Sequence, residues 1–201
     1  YNEKVREYYR MFYGKTFYNM SHISEGVDFK NAQIEGSTFK NATLKRSNFQ
    51  DVQIRTTDFE KATITNADFE KANIQGSHFK KVIIHESNFA YAIIHESNFA
   101  YAKFDTVIMK NTNIRKIYFN YVKIQNSNFG DATMQNVNFR RAQLKDSKFK
   151  FVHMKEVCFD DALLDDVKFD RSKIDDLTFK SAKFEGATID EVSFEKTIID
   201  W

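Results

Sequence analysis

The ten residues from Ala62 to Lys71 read ATITNADFEK and contain two five-residue units of the same kind. Each unit begins with alanine, carries a large apolar residue two positions later (Ile64 or Phe69), and has polar residues at its other three positions. An α-helix places apolar residues about every 3.6 positions and an isolated strand about every second one. Neither period explains a unit of five, so this unit decides the fold if it recurs along the chain.

The unit recurs without a slip through most of the sequence. All 35 positions spaced five apart from Phe29 to Ile199 carry Phe, Ile, Leu or Met. Of the 35 positions two residues earlier, 33 carry Ala, Ser, Thr or Val; Ile117 and Leu177 are the exceptions. The segment IIHESNFAYA occurs twice in succession, at residues 83–92 and 93–102, which indicates a tandem duplication.

The spacing within one unit indicates the path of the chain. The small and the large inward residues are two apart, which is strand spacing, and the next three residues turn a corner. Four such sides close a square coil of about 20 residues, in which each coil pairs with the coils above and below. Phe29, Phe49 and Phe69 are therefore expected to stack in one column.

The run from Ala62 to Lys71 resembles the motif of the pentapeptide-repeat family: a small residue, a polar one, Leu or Phe, then two variable positions. The resemblance covers roughly residues 27–200. It implies an all-β solenoid, a right-handed quadrilateral parallel β-helix, and right-handed parallel connections are also the general rule. We expect a capping helix and an irregular lead-in over residues 1–20, then about nine coils over residues 21–201.

The two ends of a solenoid need covering, because they expose unpaired strand edges. Residues 2–13 read as a short amphipathic helix followed by a glycine suited to a C-terminal cap. The apolar positions of this helix and the glycine are Val5, Tyr8, Tyr9, Phe12 and Gly14. The helix is expected to cover the first coil, and the alternative is a helix on a membrane surface.

The C-terminal residues continue the repeat and end in the apolar side chains Ile198, Ile199 and Trp201. An apolar end in register favours association with another subunit. The hypothesis is a homodimer through the C-terminal coils.

The sequence predicts no catalytic residue, no cofactor and no metal, and so a protein that is not an enzyme. Among the five histidines, His85 and His95 fall on opposite sides of the rod, and no two converge on a zinc site. Cys158, the one cysteine, has no histidine nearby to activate it, and it favours a reducing, cytoplasmic setting. No stretch approaches the roughly 18 apolar residues of a membrane span.

Charge is distributed unevenly along the rod. Residues 1–155 carry 24 Lys and Arg against 15 Asp and Glu, whereas residues 156–201 carry 6 against 13. One side is expected to combine aromatic and basic residues over three coils, a composition that suits protein interfaces. This candidate interface consists of Tyr101, Tyr118, Tyr121, Arg140 and Arg141.

Three functions remain open at this point. The first is a non-enzymatic rod that binds a protein partner or serves as a scaffold. The second is implied by the resemblance: some pentapeptide-repeat proteins imitate duplex DNA and bind type II topoisomerases such as DNA gyrase, giving quinolone resistance. Those relatives are strongly acidic along the rod, and this chain is net positive over most of its length. The third, direct nucleic-acid binding, is disfavoured because basic residues are mixed with acidic ones.

Overall fold

The computed structural model describes residues 11–13 and 26–197. In chain order the strands are β1 (Met11–Tyr13), β2 (Gln33–Glu35), β3 (Thr43–Lys45), β4 (Gln53–Arg55), β5 (Thr63–Thr65), β6 (Asn73–Gln75), β7 (Ile83–His85), β8 (Ile93–His95), β9 (Lys103–Asp105), β10 (Asn113–Tyr118), β11 (Lys123–Gln125), β12 (Thr133–Asn138), β13 (Gln143–Lys145), β14 (His153–Cys158), β15 (Leu163–Asp165), β16 (Lys173–Thr178), β17 (Lys183–Glu185) and β18 (Ser193–Glu195). These residues contain no helix, and so none that could cross a membrane.

The strands form two parallel sheets on opposite sides of a rod. The even-numbered strands and β1 make a ten-stranded sheet, and the other odd-numbered strands make an eight-stranded sheet. From β2 onward paired residues lie 20 positions apart, as Ile34 and Ile54 do, whereas Met11 in β1 pairs with Gln33. Ladders of parallel bridges, such as Asp28 with Asn48 and Thr38 with Asp58, close the other two sides. The predicted right-handed quadrilateral β-helix is confirmed, and eight steps of 20 residues separate Ile34 from Phe194.

The core consists of parallel columns of stacked phenylalanine rings and aliphatic side chains. Phe39 and Phe59 stack with their centroids 4.7 Å apart and their planes at 4°. The opposite column stacks equally closely, and rings of the two columns meet edge to face, as Phe29 and Phe39 do at 86°. From Phe29 to Phe169 every large inward residue is buried, as the period of five predicts.

Met109 interrupts one phenylalanine column, and a neighbouring side of the same coil carries a phenylalanine instead. In the same coil Phe104 stands where other coils have Ile, Leu or Met, apart from Phe184 near the end. The Phe104 ring meets Phe99 at 5.8 Å and Phe119 at 5.9 Å, both edge to face. Phe104 thus makes the contacts to the opposite column that a phenylalanine in the interrupted column makes elsewhere.

Every corner of the rod requires a left-handed backbone. Each residue spaced five apart from Gly26 to Lys196 has a positive φ, and only four of them are glycine. The left-handed region costs an L-residue about 1–2 kcal/mol unless the residue is glycine, with asparagine and aspartate best adapted among the others. Thr56, Tyr101 and Phe151 are therefore strained where they stand.

The two kinds of corner use different hydrogen bonds, which explains the choice of the small residue. After a phenylalanine, the small residue donates its N–H to that phenylalanine's carbonyl, as Ala62 does to Phe59 at 3.0 Å. After an aliphatic residue, a buried serine replaces that bond. The Ser77 hydroxyl accepts from the Thr57 N–H at 3.2 Å and donates to the Gln75 carbonyl at 3.1 Å.

Ile117 and Leu177, the two exceptions to the small-residue rule, lie in a column where strand pairing continues through the corner, although the corner residues keep a positive φ. The N-terminal part of this column carries hydroxyl residues, including Ser77 and Ser97, but from Ile117 to Leu177 it carries the apolar residues Ile, Val, Val and Leu. In this part the strands β10, β12, β14 and β16 run for six residues through the corner, and Ile117 pairs with Val137. Large side chains therefore fit because the whole column changes together.

At the N-terminus one prediction is wrong in part. The helix expected over residues 2–13 does not include its last turn, because Met11–Tyr13 form strand β1 and pair in parallel with β2. This segment extends the ten-stranded sheet by one strand, so sheet pairing prevails over the helical spacing of the apolar residues. Residues 2–10 of the expected helix, and Ile198, Ile199 and Trp201, lie outside the described residues.

Candidate protein-binding surface

Two tyrosines stack at one corner of the rod. Tyr101 and Tyr121 occupy equivalent corner positions one coil apart, and both have a left-handed backbone, with φ of 60° and 59°. Their ring centroids lie 4.8 Å apart and their planes differ by 2°. The rings remain 45% and 37% exposed, so the strained corners hold large aromatic groups at the surface.

A cation lies over each end of this stack. The Lys80 ammonium lies 6.0 Å from the centroid of the Tyr101 ring, and the Arg141 guanidinium carbon lies 5.6 Å from that of Tyr121. Arg141 also donates a hydrogen bond from Nη1 to the Tyr121 hydroxyl at 2.6 Å. We call Lys80, Tyr101, Tyr121 and Arg141 the tyrosine ladder. The two rings cover each other's inner faces and a cation lies near each outer face, so the ring edges remain for a partner.

Asp161 holds the basic end of the ladder in place. Its Oδ2 lies 3.4 Å from the Nε atoms of both Arg140 and Arg141. The hydrogen bond to the Tyr121 hydroxyl, followed by that to Asp161, raises the pKa of the Arg141 guanidinium. Arg141 is thus charged at any physiological pH and oriented by two partners.

The backbone beside the ladder is fixed by asparagine side chains, a feature that the sequence reasoning missed. The Asn98 Oδ1 accepts from the Ala100 N–H at 2.9 Å, and the Asn138 Oδ1 accepts from the Arg140 N–H at 2.8 Å. Asn or Asp immediately before a phenylalanine recurs at many corners and makes the same contact, as Asp58 does to Glu60. This recurrence, two residues before the next backbone N–H, was the available signal.

The structure brings the five predicted interface residues onto one side. Tyr118 ends strand β10 and is 57% exposed, and it forms a parallel β-bridge with Asn98 one coil earlier. It precedes Tyr121 by three residues on the same side of the coil. Tyr101, Tyr121 and Arg141 are joined by the contacts above, whereas Tyr118 and Arg140 flank them.

The candidate residues for chemistry are engaged in separate pairs. The His85 Nδ1 lies 3.2 Å from Asp105 Oδ2, and the Asn126 amide donates to Asp105 and lowers the pKa of that carboxyl. His153 lies 3.5 Å from Asp175, on another part of the rod. Cys158 is half-buried in strand β14. Over residues 26–197, no group of three metal-ligating side chains comes together.

The core is open at the C-terminal end of the described coils. An apolar cavity of about 220 Å³ lies between the last two coils, where Phe184 and Ile189 approach the surface. Ile189 is 48% exposed and Phe194 40%, although both stand at positions that are buried in the preceding coils. The apolar core is therefore incompletely filled at this end of the described coils.

Comparison with known proteins identifies the repeat. The family model described as a pentapeptide repeat region matches residues 23–89, 72–149 and 123–199. A comparison with curated proteins gives no match.

Several solved structures are similar to this chain at low sequence identity. HetL, a pentapeptide repeat protein involved in heterocyst differentiation regulation from the cyanobacterium Nostoc, is 14% identical, with 91% of this chain and 84% of that chain covered and a TM-score of 0.44. A trypsin-treated form of QnrB1, a plasmid-mediated fluoroquinolone resistance protein, is 16% identical, with 90% of each chain covered and a TM-score of 0.44. Because the family model accounts for residues 23–199 in three overlapping matches, the chain belongs to the pentapeptide-repeat family.

Proposed function

We propose that this pentapeptide-repeat rod is a non-enzymatic protein-binding module, and that the tyrosine ladder is the centre of its docking surface. The observation that carries the proposal is the stack of Tyr101 on Tyr121 with Arg141 bonded to the Tyr121 hydroxyl. Tyrosine and arginine are the residues most enriched at interface hot spots.

The position of the tyrosines supports this proposal energetically. A left-handed backbone costs an L-residue about 1–2 kcal/mol, and asparagine would fit these corners better. Half-exposed rings recover only part of the burial energy of an aromatic residue. The stack is also rigid, because neighbours on both sides hold it, and a rigid surface loses little entropy on binding.

The absence of catalysis is part of this proposal. His85 and His153 lie on different parts of the rod, each beside its own carboxylate, and among residues 26–197 no base contacts the Cys158 thiol to activate it. The lone thiol also supports action in a reducing cytoplasm.

A second proposal is self-association through the C-terminal coils. The exposure of Ile189 and Phe194, at positions that are buried in the preceding coils, favours it. Sedimentation of the parent and of Ile189→Lys tests it. A dimeric parent and a monomeric variant would support the proposal, and a monomeric parent at high concentration would exclude it.

Inhibition of a type II topoisomerase by DNA mimicry is the weaker alternative. Residues 1–155 carry 24 basic against 15 acidic residues, which is opposite to the charge of DNA. A supercoiling assay with DNA gyrase would reveal such an activity.

Protein binding is tested by affinity capture from extracts of the source organism, followed by quantitative mass spectrometry. The baits are the parent, the double variant Tyr101→Ala with Tyr121→Ala, and the control Tyr91→Ala, which removes an exposed corner tyrosine on the opposite side. The expected result is a protein retained by the parent and the control but lost from the double variant. Identical retention by all three baits would refute the proposal.

A further inference from the structure

We propose that the partner contacts the tyrosine ladder through an acidic protein segment; this inference rests on the proposed docking surface and names the chemistry that the surface recognises.

The surface around the ladder is basic and has acidic boundaries. Residues 78–81, 98–101, 118–121 and 138–141 stack on one side of the rod and contain four basic residues and no acidic one. The four are Lys80, Lys81, Arg140 and Arg141. The adjoining coils carry Asp58 and Glu60 on one side and Asp160 and Asp161 on the other. The patch is therefore a limited positive area, which attracts acidic groups and repels basic ones.

The tyrosine rings favour a protein over a nucleic acid. Proteins that bind single strands stack bases on the faces of exposed aromatic rings. In the ladder, Tyr101 and Tyr121 cover each other's inner faces, and Lys80 and Arg141 lie over the outer ones. A base would have to displace these cations to stack on an outer face, whereas ring edges and cations suit apolar and carboxylate side chains.

The patch has the dimensions of a short peptide. Four stacked segments at a spacing of about 4.8 Å span roughly 14 Å along the rod. An extended segment rises about 3.3 Å per residue, so four to five residues would cross it. Such a segment could place two carboxylates near Lys80 and Lys81 at one end and near Arg140 at the other.

The test measures binding of a labelled 15-residue peptide rich in glutamate with two leucines. The comparison probes are the same peptide with glutamine in place of glutamate, and an oligothymidylate of equal length. The proteins are the parent, the variant Lys80→Glu with Lys81→Glu, and the control Lys148→Glu with Lys168→Glu, which reverses two stacked lysines on the opposite side. Melting curves verify that the variants fold; Lys80→Gln with Lys81→Gln replaces the first variant if its melting temperature falls.

The glutamate peptide is expected to bind the parent and the control, and to bind at least about ten-fold more weakly to Lys80→Glu with Lys81→Glu and at high salt. Equal binding of the glutamine peptide, or no effect of the lysine substitutions, would overturn the inference. Tighter, ladder-dependent binding of oligothymidylate would overturn it in favour of nucleic acid. If affinity capture depends on Tyr101 and Tyr121 while the glutamate peptide does not bind, the docking surface stands and only its acidic specificity fails.

Discussion

The ring of Phe104 meets that of Phe99 edge to face, at 5.8 Å and 89°, in the coil where Met109 interrupts the phenylalanine column. Both Phe104 and Met109 are buried. In this coil the ring lies at position 104 and the flexible aliphatic side chain at position 109, the reverse of most coils. The volume of the core therefore stays roughly constant.

This exchange predicts a strong coupling between positions 104 and 109. Met109→Phe alone should lower the free energy of unfolding by about 1–3 kcal/mol, because a second ring would overpack the coil. Phe104→Ile alone should also destabilise the rod, since it leaves a cavity. The double variant should recover most of both losses, which gives a coupling energy of about 0.5–3 kcal/mol in a double-mutant cycle. Strictly additive effects in urea unfolding would contradict this account.

The buried serines are predicted to join successive coils. Ser77→Ala removes the acceptor of the Thr57 N–H and should lower the free energy of unfolding by about 1–3 kcal/mol, because that donor is left buried without a partner. Ser181→Ala, at an exposed corner, is the matched control and should change stability little. If the two substitutions have the same effect in thermal unfolding, the serine has no role beyond its size.

The left-handed corners predict substitutions that stabilise the rod. Thr56 has a φ of 46° and a β-branched side chain, which disfavours this conformation. Thr56→Asn should raise the free energy of unfolding by roughly 1 kcal/mol. Thr43→Asn, within strand β3, is the control and should lower stability slightly, because asparagine is a poor strand former. A fall in melting temperature for Thr56→Asn would contradict the backbone argument.

Asp170 makes stability depend on pH in a defined direction. Burial raises the pKa of this carboxyl, but the hydrogen bonds from Lys150, at 2.7 Å, and from Thr188 lower it below its ordinary value. A lowered pKa in the folded state means that the carboxylate stabilises the rod above the pKa of the unfolded chain, about 3.9. This contribution is lost as pH falls through the folded pKa.

Asp170→Asn should therefore destabilise the rod by about 1 kcal/mol at neutral pH and by less as the pH falls below about 3.9. Urea unfolding of the parent and the variant, at neutral pH and again below about pH 3.9, measures the loss of stability under each condition. Asp131→Asn, an exposed carboxylate near Lys110, is the control and should have little effect at either pH. A constant effect of Asp170→Asn across the range would exclude the proposed ion pair.

The period of five predicted the coil, the columns and the buried residues, because one small and one large inward residue in every unit leave no freedom of register. It also placed Tyr101 beside Tyr121. It did not predict strand β1 where the end of a helix was expected, since a short segment that contains an apolar residue of a helical pattern can also pair with a sheet edge. The bond from Arg141 to Tyr121 depends on rotamers, which a repeat does not specify.

The repeat also does not specify the contacts that residues make at the corners. Small residues were expected at these positions, yet the serines act through their hydroxyl groups, and Ile117 lies in a column where strand pairing continues through the corner. Such features depend on neighbours 20 residues away rather than on the unit itself.

The stacking of Tyr101 on Tyr121 is tested most directly by engineered disulfides in a chain that also carries Cys158→Ser. Tyr101→Cys with Tyr121→Cys places two cysteines at equivalent corners of successive coils, with Cα atoms about 4.8 Å apart, within the range that a disulfide spans. Tyr91→Cys with Tyr101→Cys places them on opposite corners. Mass spectrometry after mild oxidation should find an intramolecular disulfide in the first variant and free thiols in the second. Free thiols in the first variant, or equal cross-linking in both, would contradict the 20-residue coil and the surface built on it.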